Sequence, residues 1–343
     1  MRFAQRSAII LTAVISGLAP TAAAAAAPAS SARGMAAAAT NCFKVKAMIP
    51  VGSSPSGIAV DPATNTIYAS NVDGDSVSVI NGETDTVTAT IAVGSSPGGI
   101  AVDPATNTVY VANESSDSVS VISGQANTVT ATIRVGSNAT AVAVNPVTDR
   151  IYAGAPGTVT GAPGTTYVIN GQTNKVVATF HGHVAGPFAL AVNSRTDTVY
   201  LANGDLKVLV INGRTNTVTA KIRVQGEPLA TAVNRRTNTI YASNVDGALS
   251  VINGQTGMVT AQIPVVSTPQ GFGTLGVAVN QRSNDIYVTR AIGPMFAVNG
   301  QANTVSGSLQ LAAGGIAVNP STGTIYTADE EANTVSALTS TCP

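Results

Sequence analysis

The stretch Gly57-Ile-Ala-Val-Asp-Pro-Ala-Thr-Asn-Thr-Ile-Tyr-Ala-Ser-Asn71, followed by Ser76-Val-Ser-Val-Ile-Asn-Gly82 and Thr86-Val-Thr-Ala-Thr-Ile91, decides the fold. It holds four short β runs: Ile58–Val60, Thr66–Ala69, Ser76–Ile80 and Thr86–Ile91. The last two alternate apolar and polar residues, the period of a strand that presents one face to a neighbour. Asp61-Pro62 and Asn81-Gly82 separate the runs with turn chemistry. Pro62 has no N–H to give a ladder, and Gly82 tolerates positive φ after Asn81.

Working outward, six further copies of this unit fill the chain, with the repeated tyrosine at Tyr68, Tyr110, Tyr152, Tyr200, Tyr241, Tyr287 and Tyr326. That spacing lies in the range of propeller blades. Four antiparallel strands repeated radially make a blade, and a lone blade cannot bury both its faces, so the ring supplies the core. The expected fold is therefore all-β, a seven-bladed β-propeller of four-stranded antiparallel blades. The composition agrees: 44% hydrophobic, 4% aromatic, 10% charged and no Trp, so Val, Ile, Ala and Tyr must build the core.

Blade 6 carries Ile286-Tyr-Val-Thr-Arg290, and blade 2 carries Val109-Tyr-Val-Ala-Asn113 followed by Ser118-Val-Ser-Val-Ile122. On these motifs the chain resembles the YVTN-repeat β-propeller family, the YncE-like and surface-layer-type propellers, over about residues 43–340. The resemblance implies the fold and a scaffold; it names no activity.

The copies are permuted at the ends. Blade 7 stops after Thr334-Val-Ser-Ala-Leu338, and the missing fourth strand stands at the other end, where Val45–Gly52 aligns with Val87–Gly94. The N-terminal strand is thus expected to close the last blade. Cys42 and Cys342, the only cysteines, both align with Thr84 in the third-to-fourth turn, which predicts a disulfide between them.

The N-terminus reads as an export signal: Arg2 and Arg6, then an apolar stretch, then small residues with A-x-A options. The expected organisation is a signal peptide over 1–29, a flexible leader over 30–41 and the propeller over 42–343, with no stable membrane span after cleavage. A secreted or extracellular location, with association to the cell wall as its variant, follows. Lys and Arg number 17, as do Asp and Glu; without Arg2, Arg6 and Arg33 the balance is slightly acidic. No basic run offers the footprint of a nucleic-acid binder. A monomer is expected.

Segment lengths point to a working face. The first-to-second and third-to-fourth turns, which share one face, keep one length throughout the chain, whereas the second-to-third turns and the links between blades vary. Loops on a rigid scaffold carry function, which puts binding on the variable face. The candidate ligand-binding residues there are His181, His183, Phe188, Phe272, Arg290, Met295 and Phe296. An acidic set, Asp73, Asp75, Glu114, Asp117, Asp329, Glu330 and Glu331, lies on the same face and reads as solvated charge, as do Asp205, Lys207 and Glu227.

No nucleophile elbow or phosphate loop occurs, and no catalytic residue is assigned. No cofactor is expected. The leading expectation is a non-catalytic scaffold that binds a protein, a cell-envelope component or a small ligand. The alternative is a metal-assisted lyase or hydrolase acting on a small cyclic substrate in the axial funnel. It would use a divalent metal held by His181 and His183, since alternate residues of an extended segment put both rings on one side. The similarity to streptogramin lyases and lactonases implies fold only; such a lyase is expected to draw histidines from separate blades, and here both stand in one segment.

Overall fold

The structure, a computed structural model, describes residues 42–156, 164–183, 187–266 and 274–342. The expected signal peptide and leader lie outside the described residues. Seven four-stranded antiparallel sheets form seven blades, each with its strands in sequence order. In blade 1 these are Pro55–Asp61, Thr66–Asn71, Ser76–Asn81 and Thr86–Ala92. The first strand of every blade packs against the first strands of both neighbours, so the ring closes around its axis. No helix among the described residues is long and apolar enough to cross a membrane.

Each blade boundary holds one apolar cluster. Between blades 1 and 2 it joins Tyr68, Val77, Val79 and Ile91 to Ile100, Val109, Val111 and Ile122. The other six boundaries repeat this arrangement. Both sheet faces are thereby buried, while the outermost fourth strand stays largely exposed, as Thr86–Ala92 does. Near the axis the blades come so close that side chains must be absent. A Cβ on Gly315 would strike the Ser56 carbonyl of the neighbouring blade, whereas one on Gly314 would meet nothing.

Blade 7 is closed as expected. Phe43–Pro50 pairs with Thr334–Ser340, completing a sheet with Ile316–Val318 and Ile325–Asp329. Val45 pairs with Leu338, Ala47 with Ala337, and a bulge lies between Val45 and Ala47. Blade 1 has the same register within one continuous hairpin: Val87 with Ile80, Ala89 with Val79, and a bulge at the same place. The two chain ends therefore reproduce a hairpin whose turn has been cut. Cys42 and Cys342 span the cut as a disulfide with Cα atoms 4.9 Å apart and a sequence separation of 300. Beside it Phe43 packs edge-on against Tyr287 of blade 6, with ring centroids 6.1 Å apart.

The turn face is uniform. One residue of each first-to-second turn takes a left-handed conformation: Asn65, Asn107, Asp149, Asp197, Asn238, Asn284 and Gly323. Asn and Asp tolerate that conformation better than other side-chain-bearing residues, and here it frees their side chains to reach the preceding blade. Asn319 Nδ2 donates to Asn65 Oδ1 at 2.7 Å, Asn145 to Asp197 at 2.7 Å, Asn193 to Asn238 at 2.7 Å and Asn234 to Asn284 at 2.6 Å.

Candidate functional site

The opposite face, formed by second-to-third turns and links, is not uniform, and the difference starts from one repeated device. Ser54, in the link from blade 7 to blade 1, has a left-handed backbone. Its N–H donates to Asn333 Oδ1 of blade 7 at 2.7 Å, its carbonyl accepts from Val72 of blade 1, and its Oγ donates to Asp73 Oδ2 at 2.7 Å. Ser96 repeats the arrangement, donating its N–H to Asp75 Oδ1 at 2.9 Å and accepting from the Glu114 N–H. Asn138 donates its N–H to Asp117 Oδ1 at 3.0 Å. Links 7 to 1, 1 to 2 and 2 to 3 are stapled in this way.

These staples account for much of the acidic set. Asp73, Asp75 and Asp117 hold the links, and Asp329 Oδ1 accepts the Glu331 and Ala332 N–H groups of its own turn. Asp205 pairs with Lys207 at 2.6 Å. Glu227 corrects the sequence reading. It takes the position of Ser54, immediately before a proline, yet only 9% of it is exposed, Oε1 has no hydrogen-bond partner, and burial pushes its carboxyl above the usual range. The alignment Ser54-Pro55 with Glu227-Pro228 carried that signal.

Beyond blade 2 the candidate residues whose side chains are described scatter rather than converge. His181 and His183 belong to the fourth strand of blade 3, Lys175–His183, which continues where the sequence suggested a link. That strand is outermost in its sheet, with order first to fourth. The histidine segment therefore stands at the rim of the disc and not in an axial funnel. Its ladder also carries a bulge at Gly182, so simple alternation does not set which side each histidine takes. His181 is exposed, and its Nδ1 lies 3.2 Å from Thr165 Oγ1. The side chains of His183 and Phe188 fall outside the described residues, as does Phe272 entirely. Among the described residues no three His, Cys, Asp or Glu side chains come together to hold a metal ion.

In blade 6 the three remaining candidates part company. Met295 is fully buried in the boundary cluster with Tyr287, Ala297, Ile325 and Leu338, so it is a core residue with no surface to offer a ligand. Strand alternation explains this, because its neighbour Phe296 takes the opposite side, half-buried toward blade 5. Arg290 ends the strand Asp285–Arg290 on the link face, is only 8% exposed, and has no partner for its Nε.

The family model described as "Lactonase, 7-bladed beta-propeller" matches residues 36–144. Among solved structures the chain is similar to the hydrazine synthase of Kuenenia stuttgartiensis, with a TM-score of 0.73 and 18% identity over 84% of this chain and 96% of that one. No curated protein matches. The likeness is one of fold: the chain is a seven-bladed β-propeller. The matched stretch ends before the histidine segment and Arg290, so it covers none of the candidate ligand-binding residues.

Proposed function

We propose that this protein is a secreted, non-catalytic propeller of the YVTN-repeat type that presents its link face to a cell-envelope component, protein or small ligand. The observation that carries the reading is the asymmetry of that face. Links 7 to 1, 1 to 2 and 2 to 3 repeat one hydrogen-bonded staple, whereas among the described residues the turn of blade 4 puts Leu206 where Asp75 stands and the link from blade 4 to blade 5 puts the buried Glu227 where Ser54 stands. The turn face shows no such departure in its backbone. A disulfide at the chain ends supports an oxidising, extracytoplasmic location, and the apolar N-terminus supports export by a signal peptide over 1–29.

The test compares two exposed apolar residues. Ile292 is 64% exposed in the second-to-third turn of blade 6, and Val147 is 72% exposed on the turn face. In cosedimentation with cell-envelope fragments, Ile292→Glu is expected to lose binding and Val147→Glu to keep it. The reverse result would remove the link face as the working surface.

A second reading, a hydrolase or lyase acting on a small cyclic ester, is favoured by the name of the family model that matches residues 36–144. A panel of lactones assayed with divalent ions and with chelator separates the two. Hydrolysis abolished by chelator would establish the enzyme.

A further inference from the structure

Three residues after each repeated tyrosine, at the link-face end of the second strand, the seven blades place Asn71, Asn113, Ala155, Asn203, Asn244, Arg290 and Asp329. The position is a slot with its own hydrogen-bonding partners. Asn71 Nδ2 donates to Ser76 Oγ at 3.1 Å and Ser78 Oγ at 3.0 Å. Asn113 does the same with Ser118 and Ser120 at 3.1 and 2.9 Å, and Asn244 donates to Ser250 at 2.9 Å. In all three the third strand supplies hydroxyls to a neutral amide.

Blade 6 breaks both halves of this arrangement. The amide becomes the guanidinium of Arg290, and the two hydroxyl positions become Pro294 and Phe296. Neither replacement can accept a hydrogen bond from a side chain. The group is held in place nonetheless. The Arg290 carbonyl accepts from Ala313 N–H at 2.8 Å, and Gly293, with φ +100°, lets the turn pass so closely that a Cβ there would lie 2.9 Å from Nη1. Among the described residues Arg290 makes no side-chain hydrogen bond and no ion pair; the ion pairs there are Lys46–Asp85 and Lys207–Asp205. Asp329, which fills the same slot in blade 7, is occupied with its own turn.

A guanidinium does not shed its charge on burial. The Arg290 Nε is buried without a partner, and the planar fork matches the oxygens of a carboxylate or phosphate. We propose that the Arg290 slot, at the link-face end of the boundary between blades 5 and 6, is an oxyanion-binding site that takes a carboxylate or phosphate group of a ligand. Phe296, half-buried on the same side of the sheet, and exposed Ile292 supply apolar surface for the rest of such a ligand. This rests on the link face being the binding face, and it names the chemistry that face selects.

The experiment needs no natural ligand. Thermal unfolding of the intact protein and of Arg290→Met is followed in inorganic phosphate, sulfate and acetate, against chloride at equal ionic strength. Saturating oxyanion is expected to raise the wild-type midpoint by roughly 3–6 °C beyond chloride. Arg290→Met, which fills the slot without charge, is expected to fold at least as stably and to show no oxyanion-specific rise. Arg290→Lys is expected to retain a smaller one. A larger rise in phosphate than in acetate assigns a phosphate, and the reverse assigns a carboxylate. A wild type that responds to oxyanions no more than to chloride, or an Arg290→Met protein that responds as the wild type does, overturns the site. Either failure leaves the link-face reading standing on the Ile292 and Val147 comparison, and loss of that comparison leaves the oxyanion result intact.

Discussion

Asp103 of blade 2 and Asp149 of blade 3 are coupled across one blade boundary as two carboxyls, at a position where four other boundaries have an amide donor. Burial, and after it the charge of Asp103, pushes the Asp149 carboxyl above the usual range. Asp103 is fully buried and its Oδ2 has no partner, and Tyr110 beside the pair is pushed up by burial and by both carboxylates.

A carboxyl whose folded pKa is raised binds its proton more tightly in the native than in the unfolded chain. Stability then falls as pH rises from the unfolded value near ~4 through the higher folded value, and the penalty persists at neutral pH. Thermal unfolding between pH 4 and 7 should show this decline. Asp149→Asn removes one of the two carboxyls and sets an amide donor opposite Asp103, and asparagine already takes the left-handed turn conformation at Asn65 and Asn238. It should flatten the decline and stabilise the protein at pH 7 by roughly 0.5–1.5 kcal/mol. An unchanged pH profile would count against the coupling.

At the alkaline end the repeated tyrosines govern. Tyr68 is pushed up to about 12 by burial and then by Asp61, and Tyr326 to about 12 by burial and then by Asp85. The native chain holds these phenol protons where the unfolded chain, near pH ~10, gives them up, so stability should be lost between pH 10 and 12. Absorbance titration should show the buried phenols ionising only as the fold opens. Ionisation of all eight tyrosines near pH 10 in the folded protein would contradict this.

The cut hairpin of blade 7 should show its dependence on the disulfide directly. Cys42→Ser with Cys342→Ser is expected to cost about 2–5 kcal/mol in urea unfolding, because the crosslink spans nearly the whole domain. The strand should still dock, since its register and the Phe43–Tyr287 contact do not need the bond. Phe43→Ala in the oxidised protein should cost about 3–5 kcal/mol. A urea midpoint indifferent to reductant would show that the bond contributes nothing.

Two adjacent glycines test the axial packing. Gly315→Ala drives a methyl into the Ser56 carbonyl of blade 1, and backbone has no room to yield, so a loss of about 1–3 kcal/mol is expected. Gly314→Ala meets nothing and should be near neutral. Equal unfolding midpoints for the two variants would show that the first strands are not packed this closely.

What could be read without coordinates was whatever the repeat states more than once. Seven copies of one strand-turn pattern determined the blades, their number and the uniform face. The alignment of Val45 with Val87, and of both cysteines with Thr84, determined how the ring closes. Tertiary structure alone decided the sites, because there a residue's role depends on which strand of the sheet it occupies and which blade it faces. The histidine segment reads like a loop until the third strand of blade 3 is seen to pair with it, at the rim. Met295 and Phe296 are neighbours in sequence, and the pleat sends one into the core between blades 6 and 7 and the other toward blade 5. In the chain Glu227 reads as an ordinary surface charge and Arg290 as a ligand contact on an exposed turn. The boundaries between blades bury them, for the same reason the propeller is stable: every blade must cover its neighbour's face, whatever residue stands there.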